Sequence, residues 1–259
     1  MLRFFRRIRH ALFASGQTRR YIFYAVGEIA LVVIGILIAL QVNNWNESRK
    51  NQTLEHEYYC RLLDDLNQDR AQLIELKDLA QQRLKASNQA ARLLQNESAY
   101  KTEVGREMIK GLIGSLREFV PNNSAFEDLK SGGNIHLIRD KSVVKALNNY
   151  YQQVDGINQI LSYHTNNMAT IWYSHRDKFE SGWIHGTMEF NRFLQGMESD
   201  VYANVEVSDK DEFDPAFKMK IYNDALTFIS SNFRAIELCD LIDIEINKVE
   251  DTLLGKCEN

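Results

Sequence analysis

Residues 21–42 read YIFYAVGEIALVVIGILIALQV, with Glu28 as the single charge. A helix of this length, rising about 1.5 Å per residue, reaches across the roughly 30 Å of hydrocarbon in a bilayer. The stretch therefore predicts one transmembrane helix. It decides the architecture, because the rest of the chain must then lie on one side of a membrane or the other.

The charge pattern around residues 21–42 predicts the orientation. The first twenty residues hold six arginines and no acid, whereas Glu47, Arg49 and Lys50 mix both signs just after the span. By the positive-inside rule the N-terminus is cytoplasmic. We therefore expect a single-pass protein of the inner (cytoplasmic) membrane. Its C-terminal domain is expected to be periplasmic and contains every acidic residue that follows the span.

Residues 1–20 are expected to form a basic cytoplasmic segment. Apolar and arginine residues alternate in LRFFRRIRHALF, residues 2–13, which is typical of a short helix lying among lipid headgroups. Membrane lipids are thus predicted partners, and a frayed basic tail that serves only topology is the alternative.

A cleaved signal peptide would show the same order of basic and then apolar residues. The uninterrupted apolar run from Ile29 to Leu40 has the length of a signal core, but bulky residues occupy the positions where a signal peptidase needs small ones. We therefore expect an uncleaved signal-anchor.

Glu28 costs several kcal/mol on a lipid-facing surface, so it must lie near an interface, be protonated, or face protein. At 100° per residue it shares one helix face with Ala25, Gly35 and Ala39. Small residues on such a face let a second helix approach closely. The pattern predicts a homo-oligomer that associates through Ala25, Glu28, Gly35 and Ala39, with an ion or proton position at Glu28 as the alternative.

Helical periodicity continues after the span. Apolar residues at spacings of three and four predict a stalk helix over residues 43–95 that joins a bundle. Asp69 and Arg83 fall at core positions of its heptads, which favours a bundle member over an isolated coiled coil. The predicted divisions are residues 1–20, 21–42, 43–95 and 96–259.

Residues 96–259 contain further helix signals. Residues 102–119 form a candidate helix that ends before Pro121, and Ser124–Glu127 is a capping box opening a short helix closed by Gly132 and Gly133. Asp140 then opens a long apolar pattern that continues to Phe179.

The last third of the chain predicts a short helix over Met188–Met197 within loops, and a final helix of nearly forty residues after Pro215. Because sustained alternation of apolar and polar residues is absent, we predict an all-α fold. The transmembrane helix continues into an extracytoplasmic antiparallel helical bundle.

Four segments carry a resemblance to a known family. Tyr24–Ile29, Val32–Gln41 and the Asn-Asn-Trp-Asn of residues 43–46 resemble the N-terminal signature of an uncharacterised bacterial family of single-pass membrane proteins. The run AFEDLKSGGN at residues 125–134 is similar to that family's central segment. The resemblance implies the architecture but no activity.

Ligand-forming residues do not cluster in the sequence. Cys60, Cys239 and Cys257 match no metal spacing, so buried free thiols are expected, with a Cys60–Cys257 bridge as the alternative if the last helix returns antiparallel. His164, His175 and His185 are too dispersed to predict a metal site. We expect neither a metal nor a cofactor.

Aromatic residues are concentrated in one region of the sequence. Core packing explains them most simply, and a ligand or partner pocket is the alternative. The residues of that candidate pocket are Tyr150, Tyr151, Tyr163, Trp172 and Trp183.

No nucleophile elbow, phosphate loop or paired-carboxylate motif is present, so we expect no enzyme. The acidic body argues against nucleic acid. The pattern favours a membrane-anchored, oligomeric scaffold that binds an unidentified protein partner. The alternatives are a sensor subunit that couples a ligand-binding ectodomain to a partner, and an ion-coupled membrane subunit that uses Glu28.

Overall fold

The computed structural model describes residues 18–112, 117–175, 196, 198–203 and 212–257. These residues form six α-helices: α1 Thr18–Gln95, α2 Lys101–Leu112, α3 Ser124–Ser131, α4 Lys141–Ser174, α5 Ser199–Ala203 and α6 Pro215–Leu253. A 3₁₀ turn, Asn134–Leu137, follows α3. The described part of the chain has no β-strand, only an isolated bridge between Tyr100 and Glu212. The all-α prediction is confirmed.

Helix α1 contains the predicted span. It is the one described helix that is long and apolar enough to cross a membrane, and its most apolar stretch is fully exposed. The chain divides into two compact units, residues 1–57 and 58–259. Within the first unit the described residues, 18–57, are all helical.

The second unit is a bundle of α1, α4 and α6. Helix α6 runs opposite to α1, because Arg70 pairs with Asp243 while Gln95 bonds to Tyr222. It also runs opposite to α4, so α1 and α4 are parallel to each other. The segment between α1 and α4 makes this possible by returning the chain to the starting end of the bundle.

Two groups of buried apolar side chains form the core of the bundle. The first includes Leu62 and Leu66 of α1, Leu147 of α4 and Ile242 of α6. The second includes Ala90 of α1 and surrounds Phe228 of α6. Apolar residues at helical spacing face inward from all three long helices, as the periodicity predicts.

The predicted helix over residues 102–119 is shorter than expected, because α2 ends at Leu112 and residues 117–123 are not helical. The backbone N–H of Val120 donates to Oε1 of Gln72 at 2.8 Å, and that of Asn122 donates to Oδ1 of Asp69 at 2.6 Å. Side chains of α1 thus satisfy two backbone donors that lie just beyond the predicted end of the helix. The spacing of apolar residues along the sequence cannot predict partners so far apart in the chain.

The predicted capping box of α3 is wrong, although the helix itself is confirmed. The helix follows Asn123 and has no side-chain cap from its own N-cap residue. Instead, the carboxylate of Asp65 on α1 accepts from the Ala125 N–H at 2.9 Å and from the Ser124 hydroxyl at 2.9 Å. A neighbouring helix therefore caps α3.

The start signals of the two later long helices are confirmed. The Asp140 carboxylate accepts from the Ser142 N–H at 3.0 Å and begins α4, and that of Asp214 accepts from the Phe217 N–H at 3.0 Å and begins α6. The predicted pattern to Phe179 ends as a helix at Ser174. The predicted helix over Met188–Met197 lies outside the described residues except for Gly196.

A disulfide joins Cys60, near the start of the bundle portion of α1, to Cys257, just after α6. The Cα atoms are 5.0 Å apart and the sequence separation is 197 residues. The expectation of free thiols is therefore wrong for this pair, because the antiparallel return of α6 brings the two residues together. It is confirmed for Cys239, which is free and buried.

We predict that the double variant Cys60→Ser/Cys257→Ser is less stable than the wild type by about 2–5 kcal/mol, because a bridge closing so long a loop restricts the unfolded chain. Chemical unfolding of the full chain in detergent measures the change. Reductant should lower the wild-type midpoint and leave that of the double variant unchanged. Equal sensitivity of the two proteins to reductant would contradict the bridge.

Candidate functional site

The residues of the predicted association face all lie on the first portion of α1. Gly35 and Ala39 are exposed, whereas Ala25 and Glu28 are partly buried. A Cβ atom added at Gly35 would meet nothing within 4 Å. The fold of this chain therefore does not itself require a glycine there, and the space beside Gly35 is open to another helix.

The four described aromatic residues of the candidate pocket do not meet around one cavity. Tyr150 is fully buried in the first core group, where its ring contacts that of Tyr151 at a centroid distance of 5.0 Å. Trp172 belongs to the second group, and Tyr163 is 69% exposed. Trp183 lies outside the described residues.

The most extensive buried polar cluster instead surrounds Asp69, whose side chain is fully buried. Its Oδ1 accepts from the backbone N–H and the side-chain amide of Asn122, at 2.6 and 2.8 Å. Its Oδ2 accepts from the Tyr150 hydroxyl at 2.6 Å, and the Tyr151 hydroxyl donates to the Asn122 carbonyl at 2.9 Å. The cluster ties α1 to α4 through the segment between α2 and α3.

Burial raises the pKa of Asp69, and the hydrogen bonds from Asn122 and Tyr150 oppose that rise. Burial also raises the pKa of Tyr150, whose hydroxyl therefore remains a donor. Because every contact of the Asp69 carboxylate is a structural hydrogen bond, this cluster holds the bundle together.

A second polar cluster surrounds Arg83, a further charge at a core position of α1. Its side chain is 7% exposed, and its Nε donates to Oδ1 of Asn232 at 3.0 Å. The Asn232 amide donates in turn to the Ser87 hydroxyl at 3.2 Å and to the Gly111 carbonyl at 3.0 Å. Asn232 thus links α1, α2 and α6.

Arg83 borders a cavity of about 60 Å³, which has room for a few water molecules or one small ligand. Its walls come from α1, α4, α6 and the chain that precedes α3. They comprise Leu76, Ala80, Arg83, Arg117, Glu118, Leu161, Ser162, His164, Thr165, Asn166, Met168, Ser231, Ala235 and Cys239. Apolar and basic groups therefore share the cavity.

Cys239 contributes a neutral group to this cavity. Burial raises the pKa of its thiol to about 11, so the thiol stays protonated at neutral pH. A thiol with that pKa is a poor nucleophile, which leaves packing as its role.

The histidines make separate contacts. Nε2 of His175 lies 2.7 Å from a carboxylate oxygen of Asp224, and Nδ1 of His164 lies 3.5 Å from the Ser231 hydroxyl. His185 is outside the described residues. Across the residues that the structure describes, no group of three or more histidine, cysteine or acidic side chains could hold a metal ion.

Sequence reasoning identified Asp69 and Arg83 only as charges that interrupt the heptads, and it missed Asp65 and Asn232. The charges at core positions of the heptads were the one sequence feature that pointed to these clusters, because a buried charge needs hydrogen-bond partners. Their partners lie 53 and 149 residues away along the chain. Local pattern could not identify them.

Comparison with known families gives one match. Residues 28–164, just over half of the chain, match the model of a family described as "Family of unknown function (DUF6090)". The matched region includes most of α1 and the Asp69 cluster. No curated protein and no solved structure matches the chain.

We predict that Asp69→Ala destabilises the protein by about 2–4 kcal/mol, because it leaves the Asn122 N–H and the Tyr150 hydroxyl buried without an acceptor. Denaturant unfolding in detergent measures the loss. Asp64→Ala, at an exposed acid of the same helix, is the matched control and should change stability by less than about 0.5 kcal/mol. Equal effects of the two variants would refute the role of the cluster.

The raised pKa of Asp69 predicts a pH dependence that Asp69→Asn removes. The folded state holds the Asp69 proton to a higher pH than the unfolded state does, so its contribution to stability falls as pH rises through the folded pKa. The unfolding free energy of the wild type minus that of Asp69→Asn should therefore decrease as pH rises from about 4 and then level off. An increase over that range would contradict the assignment.

Proposed function

We propose that this chain, which belongs to the family of unknown function DUF6090, is a single-pass, membrane-anchored scaffold or interaction protein. In this proposal α1 crosses the inner membrane with the N-terminus in the cytoplasm. The helical bundle lies in the periplasm, where it binds a protein partner, and the molecule self-associates through Ala25, Glu28, Gly35 and Ala39. The proposal includes no catalytic role.

The observation that carries the proposal is the apolar portion of α1. Most of its side chains from residue 22 to 42 are exposed and none is buried, which is costly in water and favourable in lipid. Glu28 is the acid within it, and a carboxylate at this depth is stabilised when protein rather than lipid faces it. Self-association would supply that environment, and the open space at Gly35 would permit close approach.

The disulfide supports the proposed side of the membrane. Disulfides form and persist in oxidising compartments such as the periplasm, whereas cytoplasmic thiols are kept reduced. Cys60 and Cys257 both lie in the unit after the span. Redox chemistry and the arginine pattern of residues 1–20 thus favour the same orientation.

A sensor built on the aromatic residues has less support, because the four that the structure describes do not line a common cavity. An ion-coupled subunit would need a polar pathway through the membrane, and Glu28 is the single charge within residues 21–42. A scaffold requires neither feature.

We predict that Ala39→Leu weakens self-association about tenfold or more, because the added side chain separates helices that meet at a small-residue face. Ala30→Leu is the matched control, since Ala30 is also exposed but lies about 140° from Ala25 on the helix. Sedimentation in mild detergent measures both variants. A monomeric wild type, or equal effects of the two variants, would refute the association face.

A further inference from the structure

A buried positive charge without a carboxylate partner sets Arg83 apart. The guanidinium remains protonated even though burial lowers its pKa. Within the described residues its one hydrogen-bond partner is the neutral amide of Asn232, through Nε, and it makes no ion pair. Its two terminal nitrogens make no hydrogen bond to the described residues, and neither is a fully enclosed atom without a partner. Buried charges are normally paired, so a negative group is expected beside them.

The cavity at Arg83 has the electrostatics of an anion site. Arg117, which is exposed at the edge of the cavity lining, makes no ion pair within the described chain, and the neighbouring Cys239 thiol is neutral. The one carboxylate in the wall, Glu118, is exposed and accepts from the Ser162 hydroxyl at 3.0 Å. The walls therefore carry two arginines against one acid.

We propose that this cavity binds a small carboxylate anion between Arg83 and Arg117. The planar fork of a guanidinium matches the two oxygens of a carboxylate. Leu76, Ala80 and Met168 form apolar walls that suit a short hydrocarbon tail better than the fourth oxygen of a phosphate. The cavity volume limits the ligand to a few heavy atoms. This site is separate from the proposed association face.

Thermal unfolding of the full chain in detergent tests the site, with sodium propionate as the probe and sodium chloride at equal ionic strength as the reference. At tenfold excess over its dissociation constant, propionate should raise the midpoint by about 3 °C with saturable dependence. Arg117→Met should reduce the shift, and Arg92→Met, at an exposed arginine elsewhere on α1, should retain it.

Two further variants test the role of Arg83 and the need for an open cavity. Arg83→Met should abolish the propionate shift, whatever its midpoint without propionate, because the variant removes the buried charge and also takes the donor from Oδ1 of Asn232. If Arg83→Met fails to fold, Ala235→Leu fills the cavity from the opposite wall and should abolish the shift while the bundle remains folded. No saturable shift, a full shift in Ala235→Leu, or a shift with inorganic phosphate alone would overturn the proposal.

Discussion

The buried carboxylates of Asp65 and Asp69 determine how the chain between α2 and α4 is held. One turn apart on α1, they accept the backbone N–H groups of Ala125 and Asn122, which belong to a stretch with few internal hydrogen bonds. A buried carboxylate is tolerated only with such donors, and these donors need an acceptor that no neighbouring residue supplies. Each group makes the burial of the other possible. The parallel arrangement of α1 and α4 depends on these hydrogen bonds, because they fix the path by which the chain returns to the start of the bundle.

The parts of the fold that follow from local chemistry were predictable. Asp140 and Pro215 mark the starts of α4 and α6, and apolar spacing marks the faces that α1, α4 and α6 bury. The anchoring of the non-helical residues 117–123 to α1, the cap of α3 by Asp65 and the bridge between Cys60 and Cys257 were not. Each depends on a partner at least 48 residues away, so it exists only after the helices have packed. The exposed association face could be placed on α1 from sequence, whereas the cavity at Arg83 could not.

The interrupted heptads of α1 contain two different kinds of buried charge. Asp69 receives three hydrogen bonds from Asn122 and Tyr150, so its burial is compensated within the described chain. Arg83 donates one bond and borders open space. If both charges served only to specify packing, both would be expected to have a full set of hydrogen-bond partners. A buried charge without partners destabilises the fold more than a paired one does. The asymmetry indicates that Asp69 has a structural role, while Arg83 retains binding capacity that the fold does not use.

The disulfide and the cavity together indicate where along the bundle α6 is free to move relative to α1. The Cys60–Cys257 bridge fixes the end of α6 to α1 near the start of the bundle, so α6 cannot separate from α1 at that end. The cavity lies further along α1, where Arg83 and Ser231 face it from the two helices. An anion there would change the charge balance between α1 and α6 at a point where no covalent link holds them. Any resulting shift of α6 relative to α1 would therefore be largest away from the bridge.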